Sequence, residues 1–196
     1  MKYLKMLGLV AVAAMALSAF AASTASATTL ETNGVATKAA ETITATLEAG
    51  SSAILKDEFG TTTDTCLKSE VEGTSNAIPG ASPTWLGGTI NKLTFEECSH
   101  NTKVDANGGL EIMWTSGTNG EVKSLGAEVT VQSTFFGATA TCKTGAGTVI
   151  GTFTGAGTGK HAKIDINATV NCGILGNSSW TGAYVITSPT GLGVVN

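Results

Sequence analysis

The clearest pattern in the chain is a strict alternation of apolar and polar residues between positions 163 and 172. The apolar side of this segment consists of Ile164, Ile166, Ala168, Val170 and Cys172. Polar residues fill the positions between them. A period of two is that of a β-strand, so the segment predicts a strand with one face in a core and the other in water.

Shorter segments repeat this pattern or carry the Thr, Val and Ile residues that strands favour. They are residues 42–47, 53–56, 61–72, 89–97, 110–114, 129–131, 138–142, 148–153 and 180–187. Turn signals lie between them at Asn33-Gly34, 107–109, Asn119-Gly120 and 155–157. Short strands separated by such turns predict an all-β fold, an antiparallel β-sandwich with a β-barrel as the alternative. Residues 76–83 are the one long loop candidate.

The N-terminus has the three parts of a secretory signal. Lys2 and Lys5 give a positive start, residues 7–20 carry no charge, and Ala25-Ser26-Ala27 supplies the small residues that signal peptidase requires. The apolar run is too short to span a hydrocarbon core of about 30 Å, and no later run is long enough. We therefore predict a signal peptide at residues 1–27. The mature chain is expected to be secreted or extracellular, and attachment to the cell surface is left open.

The charge of the mature chain narrows the classes of partner. Loss of Lys2 and Lys5 with the signal peptide lowers the formal net charge from −4 to −6. The polyanionic backbone of a nucleic acid would be repelled by such a chain, so nucleic-acid binding is not expected. A protein, a glycan or a small molecule remains as the class of partner.

The chain has four cysteines, Cys66, Cys98, Cys142 and Cys172. An even number in an exported chain predicts disulfides. Three pairings are possible. We favour Cys66 with Cys98 and Cys142 with Cys172, because each closes a short loop and would add about 3–4 kcal/mol of stability. The spacings that are typical of metal sites do not occur, so no metal site is predicted.

The mature residues 28–196 are expected to form a single all-β domain. A weak internal similarity, such as TDTC at 63–66 with TATC at 139–142, would fit two Cys-clamped halves at about 50–115 and 126–188. A Thr-rich chain can also produce this similarity by chance, and the sequence does not decide between the two interpretations.

The C-terminal third carries the segments GTVIGT at 147–152, WTGAY at 180–184 and SPTGL at 188–192. With these segments it resembles a set of uncharacterised exported proteins from high-GC Gram-positive bacteria. The resemblance implies an extracellular β-sandwich. It carries no functional residues with it.

No segment predicts catalysis or a cofactor. The stretch GAGTGK at 155–160 lacks the first glycine of a phosphate-binding loop, and His161 replaces the hydroxyl residue that would follow. A near-copy at 144–148 indicates that both stretches are hairpin loops. His100 and His161 are the histidines available to a catalytic triad, and neither lies in a recognisable motif. Both are interpreted as exposed residues.

The aromatic residues near the C-terminus are the best candidates for binding. Trp180, Gly182, Tyr184 and Ile186 share one face of a predicted strand. A glycine between two aromatic residues can leave a flat slot for a ligand ring, or can make room for a neighbour in a packed core. On the first interpretation, Trp180 and Tyr184 would bind a sugar or another flat ligand.

Three classes of function follow. The favoured one is a non-enzymatic secreted or cell-surface module that binds a partner, a wall polymer or a small ligand. The second is a structural component of a surface or matrix. The third is an extracellular hydrolase without a recognisable motif, which a polar cleft containing His100 or His161 beside a serine or carboxylate would favour.

Overall fold

The computed structural model describes residues 27–37, 39–76, 84–100, 103–133, 138–173 and 176–196. Within these residues the chain forms fifteen β-strands. The strands are β1 (Thr29–Thr32), β2 (Val35–Ala36), β3 (Thr42–Leu47), β4 (Ala53–Lys56), β5 (Thr62–Ser75), β6 (Leu86–Cys98), β7 (Lys103–Asn107), β8 (Gly109–Ser116), β9 (Asn119–Ser124), β10 (Glu128–Ser133), β11 (Ala138–Lys143), β12 (Val149–Thr154), β13 (Lys163–Asn171), β14 (Asn177–Ser188) and β15 (Leu192–Val195).

Strand β13 has the buried and exposed faces that its alternation of apolar and polar residues predicts. Ile166, Ala168 and Val170 are buried, whereas Asp165 and the other odd-numbered residues of the strand are exposed. The hydrophobic effect therefore fixes which face of this strand points inward, because a shift of one residue would expose every apolar side chain.

The larger sheet closes on itself as an eight-stranded barrel in the order β3, β5, β6, β8, β9, β12, β13, β14. Closure depends on β3, which pairs antiparallel with β14 through Leu47 and Tyr184 and with β5 through Thr46 and Glu70. Because β3 is hydrogen-bonded to a strand on each of its two sides, the sheet has no free edge at β3. The sequence favoured a sandwich; the closed barrel that the structure contains is its alternative.

Strands β3 and β4 together occupy one position in the barrel. Both run antiparallel to β14 and to β5, and residues 48–52 separate them. The Glu48 amide donates to the Ala183 carbonyl at 2.8 Å, and Gly50 takes a positive φ of 79° in the intervening turn. The pair is thus one long strand with an interruption.

A three-stranded sheet, in the order β15, β1, β2, packs against the barrel. Its inward side chains Leu30, Leu192 and Val194 are at most 1% exposed and belong to the same core cluster as the barrel interior. The first and last strands of the described residues, β1 and β15, are paired with each other, Thr29 opposite Val195. Both ends of the described part of the chain therefore contribute to the core.

Strands β7, β10 and β11 extend the large sheet beside β13. Only one residue pair, Lys143 opposite Asn171, joins β11 to β13 in the described part of the sheet. The Cys142–Cys172 disulfide lies next to this pair. The second disulfide, Cys66–Cys98, joins directly opposed residues of β5 and β6.

This is the pairing that the sequence favoured, and no cysteine among the described residues is free. The barrel combines strands of both proposed Cys-clamped halves, since β14 of the second pairs with β4 of the first. Whether the halves are true repeats stays a prediction.

Several boundaries differ from the sequence prediction. Asn119-Gly120 was expected as a turn, but both residues begin β9, and the turn lies at Gly117, whose φ is 58°. Strands β1, β2, β7, β9 and β15 were not predicted. The predicted signal peptide spans residues 1–27, of which 1–26 lie outside the described residues. The loop candidate spans 76–83, of which 77–83 lie outside them. No helix long and apolar enough to cross a membrane is present in the described residues.

Candidate functional site

The barrel encloses an apolar cavity of about 60 Å³. Val71, Leu93, Leu110, Ile164, Trp180 and Tyr184 are among the side chains that line it. A second cavity, of about 90 Å³, lies towards Gly73 of β5 and Gly88 of β6. The two share Ala45, Val71, Ile90, Leu110 and Ile164 as lining residues, so they are adjacent parts of one barrel interior.

Strand β14 brings both sequence-predicted aromatic residues to this cavity. Tyr184 is only 3% exposed, and Trp180 is partly buried. A Cβ atom on Gly182 would lie 3.1 Å from Cε2 of Tyr184. The space beside Gly182 is thus filled by the Tyr184 ring, and Trp180 and Tyr184 both belong to the core or pack against it. Both rings face the barrel interior. Whether these two residues bind a ligand stays a prediction.

The hydroxyl of Tyr184 has a partner inside the barrel. It donates to Ser69 Oγ on β5, 3.1 Å away, and both residues are buried. Burial raises the pKa of Tyr184 from 10.0 to about 12, and the hydrogen bond with Ser69 opposes part of this rise. Tyr184 is therefore a neutral, hydrogen-bonded wall of the cavity.

Trp180 differs from Tyr184 in the state of its polar atom. Its ring packs edge-on against Phe95 of β6, with 6.1 Å between ring centroids. Its indole nitrogen is buried, and no hydrogen-bond acceptor lies within reach in the described part of the chain. A buried donor without a partner is uncommon, because desolvation of an N–H group costs about 1–3 kcal/mol when no bond replaces water.

The remaining hydroxyl of the first cavity belongs to Thr144. It donates to the Ala127 carbonyl at 3.0 Å and contacts Ser124 Oγ at 2.5 Å. Ser124 Oγ in turn accepts from the Ala127 amide. No charged side chain lines either cavity within the described residues. The described lining of both cavities is therefore uncharged, and Trp180 Nε1 is a buried donor without an acceptor among the described residues.

A separate polar cluster forms at the end of the β5–β6 pair, around the buried carboxylate of Asp64. Asp64 Oδ1 accepts from the Thr65 amide at 2.8 Å, from Ser99 Oγ at 2.8 Å and from the His100 amide at 3.2 Å. His100 Nδ1 lies 3.3 Å from Ser99 Oγ and 3.8 Å from Asp64 Oδ1. The structure thus places a serine and a carboxylate beside His100.

The order of these contacts differs from that of a hydrolytic triad. In a triad the imidazole lies between the serine and the carboxylate and accepts the serine proton. Here the Ser99 hydroxyl donates directly to Asp64. Asp64 Oδ1 also accepts hydrogen bonds from two backbone amides, so this carboxylate stabilises the turn after β6.

Asp64, Cys66 and Cys98 bring possible metal-ligand atoms within 4.8 Å of one another. The two sulfurs are bonded to each other and are therefore not thiolates.

His161 and the glycine-rich stretch before it lie in the loop between β12 and β13. His161 is exposed, and its Nδ1 lies 2.8 Å from the Ile186 carbonyl. The Gly159 amide donates to Asn33 Oδ1 at 3.1 Å, so this loop is held against the turn between β1 and β2. The prediction of a hairpin loop at 155–160 is confirmed, because β12 and β13 pair antiparallel. The same prediction for 144–148 is wrong: this stretch joins β11 to β12, which have no pairing with each other among the described residues.

Sequence reasoning identified Trp180 and Tyr184 but missed Ser69, Phe95 and the cavity itself. Ser69 and Phe95 are opposite each other on β5 and β6, which were both predicted as strands. Nothing in the sequence says that these strands face β14 across a barrel interior. Comparison of the chain with protein-family models, with curated proteins and with solved structures finds no match in any of the three.

Proposed function

We propose that this protein is an exported, non-enzymatic barrel protein that binds a small, mainly apolar ligand in its interior. The observation that supports the proposal is the uncharged cavity that Trp180 and Tyr184 help to line. Apolar cavities in proteins stay free of water and accept apolar guests; a cavity of about 150 Å³ lined by aliphatic and aromatic side chains binds benzene or xenon. The two adjacent cavities fit a guest of one ring or a short alkyl chain.

The N-terminal segment and the cysteines support export. Residues 1–27 have the pattern of a signal peptide, and two disulfides are typical of proteins in oxidising compartments. The ligand would therefore be met outside the cytoplasm. The resemblance of the C-terminal third to exported proteins of Gram-positive bacteria points the same way.

The non-enzymatic part of the proposal rests on how the polar groups are used. Among the described residues, the first cavity offers no nucleophile beside a base: Thr144 and Tyr184 are both held by neutral hydroxyl or carbonyl partners. The Ser99 hydroxyl donates to Asp64 Oδ1 at 2.8 Å, and its contact with His100 Nδ1 is longer, at 3.3 Å. Binding, which needs shape and burial alone, is the function that this interior supports best.

The test is a titration of the mature protein with isopropylbenzene, followed by calorimetric melting. A ligand that binds the folded state raises the melting temperature, and the rise grows with the ratio of ligand concentration to Kd. We expect Ala45→Val to weaken this rise, because Ala45 lines both cavities and the added methyl groups occupy their volume. Ala53→Val is the matched control, since Ala53 is equally buried but lines neither cavity.

The expected result is a similar ligand-induced rise in the wild type and in Ala53→Val, and a smaller one in Ala45→Val. The proposal would be overturned if isopropylbenzene leaves the melting temperature of the wild type unchanged at millimolar concentration. An equal rise in both variants would also overturn it, because binding would then lie outside the barrel.

A further inference from the structure

The strand pairing on one side of β5 is interrupted at residues 67–69. Strand β3 pairs with β5 as far as Thr46 opposite Glu70, and β4 resumes the pairing with Ala53 opposite Cys66. Between these points, no strand in the described part of the barrel is bonded to this side of β5. The other side of β5 stays paired with β6 along the same stretch. The barrel wall therefore has a gap here that side chains fill.

The turn at residues 48–52, which crosses the interruption, is bonded to β14 and not to β5. The Ala183 carbonyl of β14 accepts from the Glu48 amide at 2.8 Å and lies 3.4 Å from Ser51 Oγ. The Ser51 amide donates to the Glu48 carbonyl at 2.9 Å, which closes the turn. No hydrogen bond joins this turn to residues 67–69 in the described structure. Movement of the turn away from β5 would therefore break none.

A polar groove of about 300 Å³ lies on the barrel surface at this gap. Leu47, the last residue of β3, lines it together with Leu67 and Ser69 of the unpaired stretch. Lys68 and Lys92 are exposed and give the groove a polar rim. The groove thus meets the barrel wall at the point where the strand pairing is interrupted.

A single layer of side chains separates the groove from the apolar cavity. Ser69 lines the groove, and its Oγ accepts a hydrogen bond of 3.1 Å from the hydroxyl of Tyr184, which lines the cavity. Leu47 lies opposite Tyr184 in the sheet and packs against the core. Since one neutral hydrogen bond adds little net stability, the Ser69 and Leu47 side chains can move aside while the backbone of both strands stays in place.

We propose that the ligand enters and leaves the barrel through this gap, between the turn at 48–52 and β5, and that the Tyr184–Ser69 hydrogen bond closes the passage. This inference rests on the proposed function and adds to its site a route from the surface. Leu47 forms the rest of the closure, because it lies between the groove and the Tyr184 ring.

Exchange of isopropylbenzene between water and the mature protein, measured from NMR line shapes, tests the route. Ser69→Ala removes the acceptor of the closing bond, and Ser69 lines neither cavity. We expect the association and dissociation rate constants both to rise about two- to tenfold, while Kd, their ratio, changes much less. Thr28→Ala is the matched control, since it also loses a buried hydroxyl but lines neither the groove nor a cavity.

A second pair of variants does not depend on the hydrogen bond. Leu47→Ala should also accelerate exchange, because it widens the gap. Leu55→Ala should not, although Leu55 likewise packs against the core and pairs with β14, because it lines neither the groove nor a cavity.

Two results would overturn the inference and leave the proposed function standing. One is unchanged exchange in Ser69→Ala and Leu47→Ala. The other is equal acceleration in each variant and its control, because the ligand would then escape by general loosening of the barrel. Failure of isopropylbenzene to bind the wild type would instead overturn the proposed function, and this route with it.

Discussion

The Tyr184 hydroxyl donates to Ser69 Oγ over 3.1 Å, and this bond links two barrel strands, β14 and β5, that are not neighbours in the sheet. Strand β3 lies between them and pairs with both. The hydrogen bond therefore crosses the point where the barrel closes. It also forms part of the cavity wall, since Tyr184 is one of the lining residues.

Removing either partner of this bond should destabilise the fold, and removing both should cost less than the sum. Ser69→Ala leaves the Tyr184 hydroxyl buried without an acceptor, and Tyr184→Phe leaves Ser69 without its donor. We expect each single variant to lose about 1–2 kcal/mol in urea unfolding. The double variant should show a coupling energy of about 1 kcal/mol. Strictly additive losses would mean that the two hydroxyl groups do not interact.

The raised pKa of Tyr184 predicts a loss of stability at alkaline pH. Between pH 10 and about 12 the unfolded chain releases the tyrosine proton while the folded chain retains it. Stability must therefore fall as the pH rises through this window, by about 1.4 kcal/mol for each unit between the two pKa values. Below pH 10 this contribution is fully present.

Absorbance of the tyrosinate ion measures this pKa directly, because the chain has two tyrosines and Tyr3 is lost with the predicted signal peptide. Tyr184→Phe is the control that removes the titration and its share of the alkaline stability loss. Ser69→Ala should raise the pKa of Tyr184 further, since its hydrogen bond lowers that pKa. Titration of the folded protein near pH 10 would contradict the buried position of this hydroxyl.

Removal of each disulfide should increase hydrogen exchange in different strands. Cys142–Cys172 fastens β11 to the end of β13 where a single residue pair joins the two strands, whereas Cys66–Cys98 connects strands that are already paired along most of β5. Replacing Cys142 and Cys172 with alanine should expose the amides of β10 and β11 to rapid hydrogen exchange and leave β12 to β14 protected. The matched Cys66→Ala, Cys98→Ala variant should leave β10 and β11 protected. The same exchange pattern in both variants would contradict this division.

Sequence patterns predicted most strands and gave the barrel as the alternative to the favoured sandwich, but they did not predict which strands close it. The alternation in β13 gave the strand and its buried face together, because the period of two is local. The pairing of β3 with β14 joins Leu47 to Tyr184, and no local pattern specifies a partner so distant along the chain. The cavity could not be predicted for the same reason. Trp180 and Tyr184 were identified as a pair, but their position inside the barrel depends on pairing with strands that are distant along the chain.

The residue at the predicted cleavage point should be part of the fold. Thr28 is buried, its hydroxyl donates to the Thr84 carbonyl at 2.7 Å, and it accepts from the Trp114 amide at 3.0 Å. Thr28→Ala should therefore lose about 1–2 kcal/mol in urea unfolding. Thr29→Ala is the control, since its hydroxyl makes only a 3.4 Å contact with the preceding carbonyl. Intact mass of the secreted protein should correspond to a chain that starts at Thr28; a mass that includes residues 1–27 would contradict cleavage there.

The central claim is that the barrel contains an apolar space that admits a small guest. Diffraction from crystals of the mature protein held under xenon pressure tests it most directly, since xenon enters dry apolar cavities and scatters strongly. We predict a xenon atom in contact with Val71, Leu110 and Ile164, which line both cavities, and none at this position in Ala45→Val. A barrel interior without xenon in the wild type, or equal occupancy in Ala45→Val, would contradict the account.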